Sequence, residues 1–318
     1  MNLFRRMLRL LFVLAGLLAG LVALLAAIFT RQIVSPPRLR LWVTPGELGM
    51  PYDNVQFPAL DGIRLSGWFI RAPADSRRKG ATIILVHGWL WNRLGTTAVT
   101  LLDKLTNSQP VELIRLAHVL HQDGFNVLMF DLRNHGESAA APPVTFGIEE
   151  SKDLLGAVAF VKTHAEVDPQ RIGAIGFSMG GNTVLYTLAQ MREIQAAVAV
   201  QPTSLGVFAG RYGRDNLGPL SYLILPLVEL LYRMQGGRPF ADIRPAAAAA
   251  HAGQTPVLFI QGNGDAWGSA ADVAQMAAAT PNPSGPLYVE STHRYDGYQY
   301  LLHNPQIATA FFEQHLPE

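Results

Sequence analysis

Three short apolar runs constrain the architecture most. Ala81 to Val86, Asn126 to Phe130 and Ile172 to Phe177 are mainly apolar from end to end and lack the polar alternation of a half-exposed strand. A strand covered on both faces has no need to alternate, so each run reads as a buried strand. Helical spacing fills the intervals, over Val111 to His121 and Ile148 to Thr163, and again from Met179 to Met191. Buried strands alternating with helices predict a mostly parallel sheet with helices on both faces, that is, an α/β fold. Ala196 to Val200, Val257 to Ile260 and Leu287 to Val289 supply further strands, the alanines from Ala246 to Ala250 a short helix, and Pro305 to Leu316 a closing helix. Upstream, Val55-Gln56-Phe57 and Ile63 to Ile70 alternate around Asp61-Gly62 and predict a β-hairpin.

Sites in such sheets form beyond the carboxyl ends of the strands. His87, Asp131, Ser178 and Asp265 all fall at strand ends of this layout. Ser178 is the centre of Gly176-Phe177-Ser178-Met179-Gly180, a G-x-S-x-G between a strand and a helix. A chain that turns this sharply exposes the serine hydroxyl and leaves no room for side chains at the glycines. The pentapeptide alone would also fit a Gly-rich structural turn, so its partners matter.

A serine hydroxyl needs a base to take its proton, and the base needs a third group to orient it. Asp265 follows the Val257 strand in Gly262-Asn263-Gly264-Asp265, and His293 follows the Leu287 strand in Glu290-Ser291-Thr292-His293. The chain order Ser178, Asp265, His293 is the order in which a parallel sheet presents such a triad. Asp296 is an alternative acid. Asp272 reads as a first-turn helix residue, His303 and His315 lie in or beside the final helix, and His251 stands at the opposite edge of the sheet. The backbone N–H groups of Met179, after the serine, and Trp89, after His87-Gly88, are candidate donors to an oxyanion. His87 and His135 read as loop-stabilising residues.

Composition excludes some chemistry. The 318-residue chain has no cysteine, hence no disulfide, thiolate nucleophile or cysteine metal site, and a formal charge of +1 gives no reason to expect a nucleic-acid partner. Leu10 to Phe29 carries no charge between Arg5, Arg6 and Arg9 on one side and Arg31 on the other. At about 1.5 Å per residue it is about 30 Å long, enough to cross a bilayer and longer than the apolar core of a cleavable signal peptide. The expected organisation is a membrane anchor over 1–31, a connector over 32–54 and a catalytic domain over 55–318, with a single-pass helix and the catalytic domain outside the cytoplasm.

From about Val55 onward the chain resembles the serine hydrolases of the α/β-hydrolase family, in the branch of membrane-associated esterase-like and lysophospholipase-like proteins. The resemblance rests on His87-Gly88-Trp89, Asp131-Leu132-Arg133-Asn134-His135-Gly136-Glu137-Ser138, Gly176 to Gly181, Gly262 to Asp265, and His293. It implies Ser178 as nucleophile, His293 as base, Asp265 as orienting acid, Trp89 and Met179 as oxyanion donors, and no metal or organic cofactor. Asn134 stands where relatives often have glycine, a place where asparagine tolerates left-handed backbone angles. The segment from Leu90 to Pro110 is longer than the usual link. A cap insertion is expected at about 203–240, where Leu217 to Met234 is strongly apolar and either packs within the cap or meets an acyl chain or lipid. The expected activity is hydrolysis of a carboxylic ester, a lipid or other small apolar ester, through an acyl-enzyme. Thioesterase or amidase/peptidase chemistry on the same triad and a non-catalytic interaction scaffold are the alternatives.

Overall fold

The computed structural model describes residues 2–99, 103–104 and 106–316. Among them, eight strands form one sheet: β1 (Tyr52–Pro58), β2 (Arg64–Ile70), β3 (Thr82–Val86), β4 (Asn126–Phe130), β5 (Ile172–Phe177), β6 (Ile194–Val200), β7 (Val257–Gly262) and β8 (Pro283–Val289). Their spatial order is β1-β2-β4-β3-β5-β6-β7-β8. β2 runs antiparallel to both β1 and β4, and every pair from β4 to β8 is parallel. The three apolar runs are therefore the three central strands, and each is buried throughout.

Helices α2 (Leu113–Gln122), α3 (Ser151–Val161), α4 (Met179–Leu188), α7 (Pro245–Ala249), α8 (Ala270–Ala279), α9 (Arg294–His303) and α10 (Gln306–His315) cover the two faces of the sheet, one beneath a core around Ile84, Leu128 and Ala174, the other around Ile83, Val127 and Ile175. The alternation of neighbouring residues between the two cores is the period-two geometry of a strand. Several expected boundaries shift for local reasons. Helix α3 starts at Ser151 rather than near Ile148 because Glu150, buried, accepts the backbone N–H groups of Thr145 and Gly147 and holds a turn there. Val111 and Glu112 pair with Gly95 and Thr96 in a short ribbon before α2 begins. β8 begins at Pro283, well before Leu287, across a register irregularity. Arg294–His303 forms a helix that the sequence reading did not anticipate. Pro305, which cannot continue it, separates it from α10, so His303 ends α9 instead of flanking the last helix. In the segment from Leu90 to Pro110, Leu90, Trp91, Thr96 and Ser108 line one cavity with Ser178, and Thr100, Leu101, Leu102 and Leu105 lie outside the described residues.

The amino-terminal helix α1 (Asn2–Val34) is exposed from Phe4 to Leu21 and long and apolar enough to cross a membrane. Its last turns are different. Val22, Leu25, Ala26, Phe29, Thr30 and Ile33 recur at helical spacing and pack against the domain. They meet the cap, formed by α5 (Leu205–Leu217) and α6 (Ser221–Met234), which stands over the carboxyl ends of the strands. The contact is close because small residues face it: Ala26 is fully buried, and the Thr30 hydroxyl donates to Ala26 O at 2.7 Å and reaches Val228 O of α6 at 3.5 Å. Val144 N donates to Ile33 O, and the Phe29 ring stands edge-on to Tyr212 of α5. The helix thus continues past Arg31 into what the sequence marks as connector, and its end is part of the folded domain.

Candidate active site

Ser178 stands between β5 and α4 with φ 53° and ψ −116°, a left-handed conformation that side chains avoid. The neighbouring glycines make the turn possible. A Cβ on Gly176 would lie 2.2 Å from Gly180 O, and one on Gly180 would lie 2.1 Å from Val86 O. Ser178 N donates to Val200 O on β6 and Ser178 O accepts from Asn182 N, which fixes the elbow to the sheet on one side and to its own helix on the other. The Ser178 side chain opens into a cavity of about 350 Å³ beneath the cap.

Asp265 follows β7 and is buried. Its Oδ1 accepts the backbone N–H groups of Trp267 and Gly268 at 2.9 and 2.8 Å. Its Oδ2 accepts from Arg294 Nη1 at 2.6 Å, with Gln261 Nε2 at 3.4 Å. The other arm of the same guanidinium, Nη2, donates to Ser178 Oγ at 2.9 Å. Arg294 therefore bridges the two residues that the sequence paired with His293. Burial alone would raise the Asp265 pKa, but the Arg294 charge and the two amides outweigh it and hold the carboxyl below its ordinary value. Arg294 is itself buried, which disfavours its charge, yet Asp265 more than compensates and its pKa is raised further above the usual arginine range. Its guanidinium also lies over the rings of Phe208 and Tyr298.

His293 is the N-cap of α9. Its Nδ1 accepts from Tyr295 N at 3.3 Å, its ring stacks on Tyr295 with centroids 5.3 Å apart, and it stands edge-on to Trp267 at 6.2 Å. Among the described residues its imidazole has no hydrogen bond to Ser178 or Asp265. Asp296 accepts from Thr292 N and His293 N, so its carboxylate caps the helix. Asp272 lies in the first turn of α8 and also accepts from Ser204 N and the Ser204 hydroxyl, fastening the start of the cap to the sheet domain.

The loops around Ser178 are held by buried polar pairs. His87 Nε2 accepts from Leu132 N at 3.0 Å and Nδ1 bonds Gly88 O at 2.8 Å, linking the ends of β3 and β4. Burial lowers its pKa despite the nearby Asp131. Asp131 accepts from Arg93 N, from two guanidinium nitrogens of Arg93 and from Glu137 N. Asn134, at φ 69°, and Gly136, at φ 45°, let the 131–138 loop fold around that carboxylate. The backbone N–H groups of Trp89 and Met179 donate to no protein acceptor among the described residues, and Met179 is the first residue of its helix, where a free N–H is expected. Both residues line the Ser178 cavity. Among the described residues, no group of three histidines, aspartates or glutamates is placed to hold a metal ion.

The cavity walls are chiefly apolar. Trp89, Phe146, Phe208 and Tyr212 come from the sheet loops and the cap, and Gln32 and Leu39 from the end of α1 and the chain after it. Trp89 Nε1 donates to Gln32 O at 3.4 Å, joining one wall to the other. Sequence reasoning missed three participants: Arg294, Tyr298 and Gln201. Burial raises the Tyr298 pKa, while Arg294 and hydrogen bonds with Ser178 and Gln201 oppose the shift. Gln201 joins the ends of three elements, donating to Arg294 O at 2.7 Å and accepting from Gly262 N at 3.1 Å. The available signal was the spacing of Arg294 and Tyr298, which puts them on one face of a helix.

The model of the alpha/beta hydrolase family matches residues 83–314. The esterase PF2001 of Pyrococcus furiosus superposes with a TM-score of 0.69 at 25% identity, covering 89% of this chain and 98% of that one. An uncharacterized protein of Escherichia coli O157:H7, YfhR, is 33% identical over 141 residues, 43% of this chain and 42% of that protein. A thiohydrolase of Aspergillus aculeatus, aneE, is 27% identical over 152 residues, 48% of this chain and 42% of that protein. The chain thus spans less than half the length of these two relatives. With the sheet order, the elbow and a family match over most of the domain in agreement, the chain belongs to the alpha/beta hydrolase family.

Proposed function

We propose that the chain is a serine hydrolase that cleaves a carboxylic ester with an apolar acyl group. The observation that carries this reading is Ser178 itself: a left-handed serine at a strand-to-helix elbow, opening into an apolar cavity lined by Trp89 and Met179, whose backbone N–H groups donate to no protein acceptor among the described residues. In the reaction Ser178 Oγ bonds to the ester carbonyl carbon while its proton passes to His293, and the Met179 and Trp89 amides receive the negative oxygen. The tetrahedral intermediate collapses with loss of the alcohol, which takes the proton from His293. Water, deprotonated by the same imidazole, then releases the acid and restores the serine. Asp265 orients the imidazolium. Likeness to an esterase and a thiohydrolase supports hydrolysis of an acyl compound and is compatible with a thioester as substrate.

The apolar helix α1 supports attachment to a membrane, and the exposed Tyr222, Leu223, Leu230 and Met234 of the adjoining α6 would then face the lipid surface. A fluorophosphonate probe tests the chemistry: the full chain is labelled, and Ser178→Ala is not. Equal labelling of both would defeat the reading. A series of esters of increasing acyl length tests the substrate class, with turnover expected to rise from acetyl to medium and long chains.

A further inference from the structure

The proposed reaction has one obstacle in this structure. Arg294 Nη1 donates to Asp265 Oδ2 at 2.6 Å, and the same guanidinium donates through Nη2 to the oxygen that must attack. Arginine is fully protonated and can accept no proton, so this arrangement holds Ser178 without activating it. The imidazole that could activate it belongs to the preceding residue. The two residues are adjacent at the junction of loop and helix, so a change of backbone angles confined to them, with the rest of α9 in place, would bring the imidazole to where the guanidinium lies.

Local structure favours such an exchange. His293 lies at the junction of an extended loop and a helix, with φ −142° and ψ 157°. Its ring is held by one long hydrogen bond and by aromatic contacts to Tyr295 and Trp267. Trp267, whose indole faces the imidazole, also donates its backbone N–H to Asp265. The Phe208 ring on the cavity wall, whose centroid lies 5.7 Å from the Arg294 guanidinium, is an aromatic surface along which the displaced side chain can lie.

We propose that Arg294 is a positioning residue that competes with His293 for the place between Ser178 and Asp265, holding the free enzyme in an unactivated pairing that acyl substrate displaces. The proposal rests on the serine-hydrolase reading for its consequence, though not for the exchange itself. The proton on Ser178 has a receiver only after the exchange, when it passes to His293.

Two readouts on the full chain in detergent separate the exchange from the chemistry. The first is the proton spectrum of the histidine ring N–H groups, with His293→Ala assigning the signal. In free wild type no strongly deshielded N–H proton from His293 is expected. One appears in Arg294→Gln, and in wild type after a fluorophosphonate occupies Ser178. The second is the rate of labelling by that probe, expected to rise about tenfold or more in Arg294→Gln and to fall again in Arg294→Gln with His293→Ala. A deshielded His293 proton already present in free wild type overturns the proposal. So does a folded Arg294→Gln protein that labels no faster than wild type while wild type labels. If His293 makes the new hydrogen bond in Arg294→Gln and yet Ser178 is never labelled, the exchange stands and the hydrolase reading falls. Should Arg294→Gln fail to fold, the wild-type spectrum before and after the probe decides, with an unchanged spectrum in labelled protein counting against the exchange.

Discussion

Arg93 holds Asp131 from two directions, donating its own backbone N–H to Oδ1 at 2.7 Å and two guanidinium nitrogens to Oδ2 at 3.1 and 2.6 Å. Both side chains are buried, and the Arg93 guanidinium lies 4.7 Å from the centroid of the Trp68 ring. This pair ties the segment after Trp89 to the end of β4. Removing one partner leaves an uncompensated buried charge, so Arg93→Met is expected to lose about 3–5 kcal/mol of stability. Arg93→Lys, which keeps the charge and loses the fork, should fall between. Chemical denaturation of the full chain in detergent measures both.

Two buried histidines make acid cost stability well above the carboxylate range, opposed by Asp153, whose pKa burial raises to about 7 and which contributes in the opposite direction. Burial, with the charge of His87, lowers the His135 pKa from 6.5 to about 3, against the opposing influence of Glu150 and Asp131. At His135 the unfolded chain therefore binds more protons than the folded one between those limits, and its share of stability falls as pH drops from 6.5 towards 3. His87, also lowered, adds in the same direction. Each such histidine contributes a slope of up to about 1.4 kcal/mol per pH unit. Asp131 and Asp265, held below 3.8, add their own loss only beneath that value. Denaturation midpoints across pH 4 to 7 should fall less steeply in His135→Asn than in wild type, and an unchanged slope would count against the histidine.

The elbow gives a sharper test of packing. In Gly180→Ala the new methyl group meets Val86 O at 2.1 Å and His87 O at 2.7 Å, both backbone atoms at the end of a central strand. Neither can retreat cheaply, so the turn itself must move. The expected cost is about 1–3 kcal/mol or somewhat more, with a fall of about tenfold or more in the labelling of Ser178. Gly206→Ala, whose added carbon finds its nearest neighbour 3.7 Å away, serves as the control and should be close to neutral.

The seam between α1 and the cap is open to a similar test. Ala26 is fully buried where α1 meets α6, so Ala26→Leu should force the helices apart at a cost of about 1–3 kcal/mol. Ala27→Leu, one residue on and exposed, should have little effect. Limited proteolysis of the cap, with the two variants side by side, reads the difference.

Much of this architecture was legible because the three central strands are apolar throughout, a pattern that only burial on both faces explains. Ser178 was legible for a related reason, since it stands directly after such a strand, and Asp265 because it falls in the turn after the Val257–Gly262 strand. His293 was placed correctly on the loop after β8, but its side chain points to Tyr295 and Trp267 rather than to Ser178. Which of two adjacent side chains enters a site depends on the rotation of α9, and RYDGYQYLLH carries too weak an apolar stripe to fix that rotation from sequence. The long-range packing of α1 on the cap escaped notice too, because a uniformly apolar helix hides which of its faces is buried.

That packing sets a length. From Leu24, the last exposed leucine of α1, to Gln32 on the cavity wall is about 12 Å along the axis at the usual helical rise. The last turns of α1 are fastened to the domain, so the distance cannot grow through a slack tether. Whatever surrounds the exposed turns of α1 lies within about two helical turns of the cavity that Ser178 faces, and a molecule leaving that surroundings for the cavity has only that far to travel.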